Sequence, residues 1–371
     1  MNILLVAGPG ISLKEPYESG IEAFIVSFAN QLIDEGHKVD VVANEAEASS
    51  KFTLINPFNK KTPGGSEVVD LINEKREFEN LNFKLYDVIH YNMFYPHLLS
   101  VGLELNKISF LTLHSPADQK RIAAYKKVSG RSNLVFVSIS ERIKKQWDQA
   151  LGIDTALIPN GINLDLWSTI GSENRDYLLW SARINEQKNL AAAICLAKNM
   201  QLPLKIAGRI TDQQYFDEMV KPHLNEQIQY VGHVTQRELG MLAKGASAYL
   251  ATATWQEPFG LSALEMLASG VPVVGFKTAV PPEWDHESVL TTASVHWQDL
   301  VELVKKSTAI SSEACKDFAS NMSIQNMTTK YVKLYEDILL PEADLEETKI
   351  ADKGILKVAA QQQNTLNKTG L

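Results

Sequence analysis

The chain has 371 residues, enough for two domains of ordinary size that each bury a core. Its 45% hydrophobic and 22% charged residues exclude a disordered or collagen-like polymer, and 36 basic against 44 acidic side chains give a net charge of −8 that disfavours nucleic acid as a partner. Its two cysteines, Cys195 and Cys315, stand far apart without CxxC spacing, which excludes a disulfide framework or thiolate zinc site; both read as small core residues.

The opening NILLVAG is apolar but has no basic leader and breaks at Gly8-Pro9-Gly10, so it reads as a buried first strand of a cytoplasmic protein. Leu13 stands where the third glycine of a dinucleotide fingerprint belongs, which argues against a nicotinamide enzyme. Gly20 opens a helix whose apolar face is Ile21, Phe24, Ile25, Phe28 and Leu32, and Gly36 ends it before the strand KVDVV. The Pro- and Gly-punctuated segment Lys51 to Ser66 reads as a surface loop. Strands follow at YDVIHYN, ISFLTLHS and NLVFVSIS. Between Lys120 and Lys145 eight basic side chains collect, a stretch that reads either as a solvated helical face or as a peripheral contact with an anionic membrane. No apolar run is long enough to span a bilayer.

A punctuated stretch from Ile158 to Asp176 marks a boundary between residues 1–165 and 166–340, and a second α/β series begins there with YLLWSA. Its later strands are LKIAGR, IQYVGHV, AYLATA and VPVVGF, and Thr235 with Glu238 has the spacing of a reciprocal capping box. The semi-apolar pattern from Ser311 to Leu340 predicts one or two closing helices, grouped here with the second domain, and residues 341–371 form a polar tail.

The stretch EPFGLSALEMLASGVPVV concentrates the chemistry. Glu257 follows a strand, Pro258 and Gly260 shape a turn, and Leu261 opens a helix that carries Glu265 one turn further on. Helix N-terminal amides there suit a diphosphate, while the two carboxylates suit sugar hydroxyls. With these flanks the chain resembles the retaining glycosyltransferases of family 4, whose signature of two glutamates with seven residues between them stands as Glu257 and Glu265. The likeness extends through SGIEAF, IPNGIN, YVGHV and ASGVPVV, over about residues 1 to 340.

That resemblance implies a GT-B fold, two facing Rossmann-like α/β domains with parallel sheets and a deep crevice, the first for the acceptor and the second for the donor. It implies that Arg183 and Lys188 hold the donor diphosphate, although Ala182 replaces the usual glycine before the arginine. It also implies that Glu257 contacts the donor sugar, Glu265 the ribose and His114 the sugar, that Gly20 lies near the phosphates, and that Phe259, Gly260 and Leu261 offer amides. The expected reaction is hexose transfer from a nucleotide diphosphate sugar, UDP-sugar by default, to a hydroxyl acceptor. No cofactor and no metal are expected, since Asp-x-Asp and HExxH are both missing from the sequence. The rival readings are a catalytically silent nucleotide-sugar binder and a nucleotide-sugar epimerase on the same fold.

Overall fold

The alternation of short apolar runs with amphipathic stretches becomes two separate parallel sheets in a computed structural model, which describes residues 1–58, 67–168 and 175–339. The 341–371 tail and the second half of the Lys51 to Ser66 loop lie outside the described residues.

The first sheet runs in the order Thr53–Ile55, Lys38–Val42, Asn2–Val6, Val88–Tyr91, Ser109–Leu113, Leu134–Ser138 and Ala156–Leu157, every neighbour parallel. The edge strand Thr53–Ile55 is thus built from residues whose turn-rich surroundings predict only loop. Val88–Tyr91 and Ser109–Leu113 are buried along their whole length, as expected of parallel strands covered on both faces. Chain order reverses between Asn2–Val6 and Val88–Tyr91, which places a ligand-binding switch point at their carboxyl ends. Beside them the helix Gly20–Asp34 buries Phe24, Ile25, Phe28 and Leu32, and Gly36 ends it with φ of +88°, a left-handed value that glycine adopts without strain.

The second sheet, also fully parallel, runs Ile228–Gly232, Leu204–Ala207, Tyr177–Ser181, Ala246–Ala251, Val273–Phe276 and Val289–Thr292. Its reversal falls between Tyr177–Ser181 and Ala246–Ala251. The capping box at Thr235 and Glu238 is formed in both directions. Cys315 is buried, but Cys195 is exposed. The helix Leu190–Met200 is so rich in Ala and Leu that Cys195 is not needed to complete its buried face, which Leu190, Ala193, Ile194 and Ala197 supply.

By contacts the chain forms one unit from Met1–Lys14, Ile21–Pro159 and the residues from Met327 onward, and a second from Glu15–Gly20 and Asn160–Asn326. The helix Ile324–Leu339, which sequence alone groups with the second half, therefore packs largely on the first. Buried tyrosines explain the docking. Tyr331 and Tyr335 are fully buried, and each hydroxyl needs a partner away from water. His90 Nδ1 lies 2.6 Å from the Tyr335 hydroxyl, His90 Nε2 lies 2.7 Å from Thr112 Oγ1, and that oxygen lies 2.9 Å from the Tyr331 hydroxyl. Burial holds His90 neutral, with its pKa pushed down to about 3.

Of the basic stretch, Arg121 is paired with Asp118, and Lys144 with Asp148 and Asp154, so those charges are compensated within the first unit. Among the described residues no helix is long and apolar enough to cross a membrane.

Removing one hydroxyl tests the docking of this helix. Tyr335→Phe leaves His90 Nδ1 without its partner, and we expect a loss of about 1 to 3 kcal/mol in chemical denaturation. Wild-type stability in that variant would show that the network does not hold the helix.

Candidate active site

In the second unit the catalytic candidates sit on the loops that leave the two strands flanking the reversal. Arg183 lies two residues past the strand Tyr177–Ser181 and is exposed, with no ion pair among the described residues. Lys188 closes a short turn, Glu186–Lys188, in which the Asn185 side chain accepts a hydrogen bond from the Lys188 amide at 3.2 Å. The neighbouring strand Ala246–Ala251 leads into Thr252, whose hydroxyl donates to the Lys188 carbonyl at 3.2 Å and accepts from Trp180 Nε1 at 2.9 Å. Buried polar contacts thus fix the backbone of the Lys188 loop.

The side chain of Lys188 reaches Glu257, with Nζ 2.5 Å from Oε2 and the two side chains only 13% and 18% exposed. Trp255 Nε1 donates to the same carboxylate oxygen at 2.7 Å, and the Lys188 ammonium lies 5.1 Å from the Trp255 ring centre. The resemblance gives Lys188 to a phosphate and Glu257 to a sugar; the structure brings them together as one compensated pair. Trp255 escaped the sequence reading, although its position two residues before Glu257 at a strand end was a usable signal.

Gly260 has φ of +87° and caps the helix Leu261–Ala268 in the left-handed region, so glycine fits this turn for a conformational reason. Phe259 is buried with its ring edge-on to Trp284, so its side chain is structural and only its backbone is available to a ligand. Gly20 approaches Leu261 so closely that a Cβ there would lie 2.7 Å from Leu261 Cδ1. Its lack of a side chain serves packing against Leu261 at this helix start.

Glu265 faces inward and is 8% exposed. Gln236 Nε2 donates to Oε1 at 3.5 Å, a weak bond, and burial pushes the carboxyl pKa up to about 7, with Glu15 adding to the rise. The sequence placed this residue but gave no sign of its protonation. No group of three or more His, Cys, Asp and Glu side chains suited to a metal ion occurs among the described residues.

His114 belongs to the first unit, at the end of Ser109–Leu113, where the chain also forms a cavity of about 210 Å³. Burial pushes its pKa down to about 3, so the imidazole is neutral. Its Nε2 lies 3.3 Å from Asn92 Oδ1.

Two family models cover most of the chain. The one described as Glycosyltransferase Family 4 matches residues 19–166, and the one described as Glycosyl transferases group 1 matches residues 167–323. A glycosyltransferase from Rickettsia africae is similar in structure, with a TM-score of 0.73 at 17% identity over 91% of this chain and 98% of that one. Anabaena HepE in complex with UDP and glucose gives 0.71 at 16% identity over 91% and 100%, and sucrose-phosphate synthase from Thermosynechococcus elongatus gives 0.70 at 15% over 91% and 99%. The fold is that of the GT-B glycosyltransferases. A glycogen synthase from Mycobacterium tuberculosis is 29% identical over 146 residues, 37% of this chain. The match spans 35% of that relative's length.

The raised pKa of Glu265 has a definite sign. The folded carboxyl keeps a proton that the unfolded chain has lost, so this group withdraws stability as pH rises from the ordinary value of 4.5 through about 7. We expect wild type to lose up to about 3 kcal/mol relative to Glu265→Gln between about pH 4 and about pH 8. A pH-independent difference between the two proteins in denaturant titrations would remove the assignment.

Proposed function

Since the chain belongs to the family 4, group 1 glycosyltransferases, we propose that it is a retaining, metal-independent hexosyltransferase. Its donor is a nucleotide diphosphate sugar, by default a UDP-sugar, and its acceptor a hydroxyl group. The observation that carries this reading is the meeting of Lys188 and Glu257 at the switch point of the second sheet, beside the helix that begins at Leu261. The UDP and glucose bound by the structurally similar Anabaena protein, and the partial likeness to a glycogen synthase, favour a UDP-hexose donor.

In this reading the amides of Phe259, Gly260 and Leu261 hold the diphosphate at the positive end of the helix. Exposed Arg183 supplies the attraction that brings the anion in, because Lys188 is already compensated by Glu257. Negative charge grows on the leaving diphosphate as the sugar–phosphate bond breaks, and the Arg183 and Lys188 cations stabilise it. Glu257 turns to the sugar hydroxyls, and Glu265 accepts from the ribose. The acceptor oxygen bonds the anomeric carbon on the face that the phosphate leaves, and the departing phosphate oxygen takes its proton. That proton path requires no separate protein base.

Lys188→Ala is expected to lower turnover by on the order of 10² or more while nucleotide still raises the melting temperature of the variant. Turnover near wild type would remove Lys188 from the mechanism.

Transfer is also expected to survive excess EDTA, since Arg183 and Lys188 do the neutralising. Loss of transfer in EDTA, restored by Mg²⁺ or Mn²⁺, would overturn the metal-free step.

A further inference from the structure

The cavity of the first unit lies at the carboxyl ends of Val88–Tyr91 and Ser109–Leu113, beside the point where strand order reverses. Asn92, Tyr95, Thr112, His114 and Arg121 are among its lining residues. Asn92 is the first residue after its strand and is 1% exposed. Its amide nitrogen donates to the His90 carbonyl at 3.3 Å. A carbonyl oxygen only accepts, so this contact fixes which end of the Asn92 amide points which way. The amide oxygen then faces His114 Nε2 at 3.3 Å.

An amide oxygen also only accepts, so the hydrogen between the two belongs to His114 Nε2. A neutral imidazole carries one ring hydrogen, which leaves Nδ1 with its lone pair free. Among the described residues the His114 ring forms no other hydrogen bond. Its orientation is held from the side by Phe24, whose ring meets it nearly edge-on with centres 4.7 Å apart.

We infer that Asn92 is a positioning residue: it locks His114 as the Nε2–H tautomer, so that Nδ1 is the acceptor offered to a hydroxyl of the ligand in this cavity. Burial of the ring, which keeps it uncharged at neutral pH, is consistent with that assignment. The hydrogen on Nε2 follows from the hydrogen bonds and the bare Nδ1 from the neutral ring, whereas the identity of the ligand as a sugar rests on the transferase reading. Loss of the Asn92 oxygen frees the ring to take the other tautomer, in which Nδ1 donates and no longer accepts.

The test is nitrogen NMR of the full-length protein labelled with ¹⁵N in the histidine rings, with the His114 signals assigned by their disappearance in His114→Ala. The expected spectrum shows a neutral His114 protonated on Nε2, and a shift toward the Nδ1–H form in Asn92→Ala. Kinetically, Asn92→Ala should lower kcat/KM about tenfold, and the double variant with His114→Ala should be no worse than His114→Ala alone. Wild-type His114 protonated on Nδ1, or charged near neutrality, overturns the inference. So does an unchanged tautomer in Asn92→Ala together with additive kinetic losses. Should Asn92→Ala fail to fold, the wild-type spectrum still decides the tautomer. The predicted tautomer in a protein that transfers no sugar would uphold the role of Asn92 and overturn the transferase reading instead.

Discussion

The Lys188–Glu257 ion pair is the contact on which the second unit's site depends. Its side chains are mostly withdrawn from water, so removing either alone would leave the other's charge partly uncompensated in a part-buried position. The pair therefore ties the loop after Tyr177–Ser181 to the loop after Ala246–Ala251, across the point where the sheet reverses. Trp255 and Thr252 reinforce the tie from opposite sides, one on the carboxylate and the other on the Lys188 backbone. A ligand that reaches this point meets groups already in place.

Compensation also sets how charge is distributed. With Lys188 neutralised by Glu257, the positive potential of the site rests on Arg183 and on the amides at the start of the helix Leu261–Ala268. Glu265 follows the same economy, because a carboxyl held protonated up to about pH 7 adds no negative charge to the site. A ligand hydroxyl that donates to Glu265 would favour its ionised form, and would in that way couple binding to proton release. Burial, more than any neighbouring charge, makes that coupling available near neutral pH.

Much of this was legible in the sequence where local chemistry decides the outcome. Gly36 ends its helix because the position needs positive φ, Thr235 and Glu238 form their box because the spacing allows it, and the strands follow their apolar runs. Glu257, Gly260 and Glu265 were found through a motif whose spacing reflects a turn and one helical turn. What escaped depends on partners distant in sequence. Tyr331 and Tyr335 look like any semi-apolar helix face until His90 and Thr112 are seen to meet their hydroxyls. Cys195 looks like a core residue until its helix is seen to have enough alanine and leucine without it. Asn92 carries no motif at all, and its meaning lies in which end of its amide faces His114.

The two units use one topology for opposite chemistries. Each of the two large sheets reverses its strand order once, and each places polar side chains in the strand ends and loops beside that reversal. In the second unit those side chains are charged, Arg183, Lys188 and Glu257, which suits a reaction that builds and removes negative charge. In the first, His90, Asn92, Thr112 and His114 are uncharged, with both imidazoles kept neutral by burial, and the cavity's charged lining residue Arg121 is paired with Asp118. Neutral groups with fixed hydrogen positions read the direction of a hydroxyl, which a charged side chain reads poorly because it attracts from many angles. Burying His90 is costly, and the tyrosines of the last helix offset that cost, Tyr335 by bonding Nδ1 directly and Tyr331 by way of Thr112. The helix Ile324–Leu339 is thus part of how the first unit holds the His90 ring nitrogens in place, as well as a closing element of the fold.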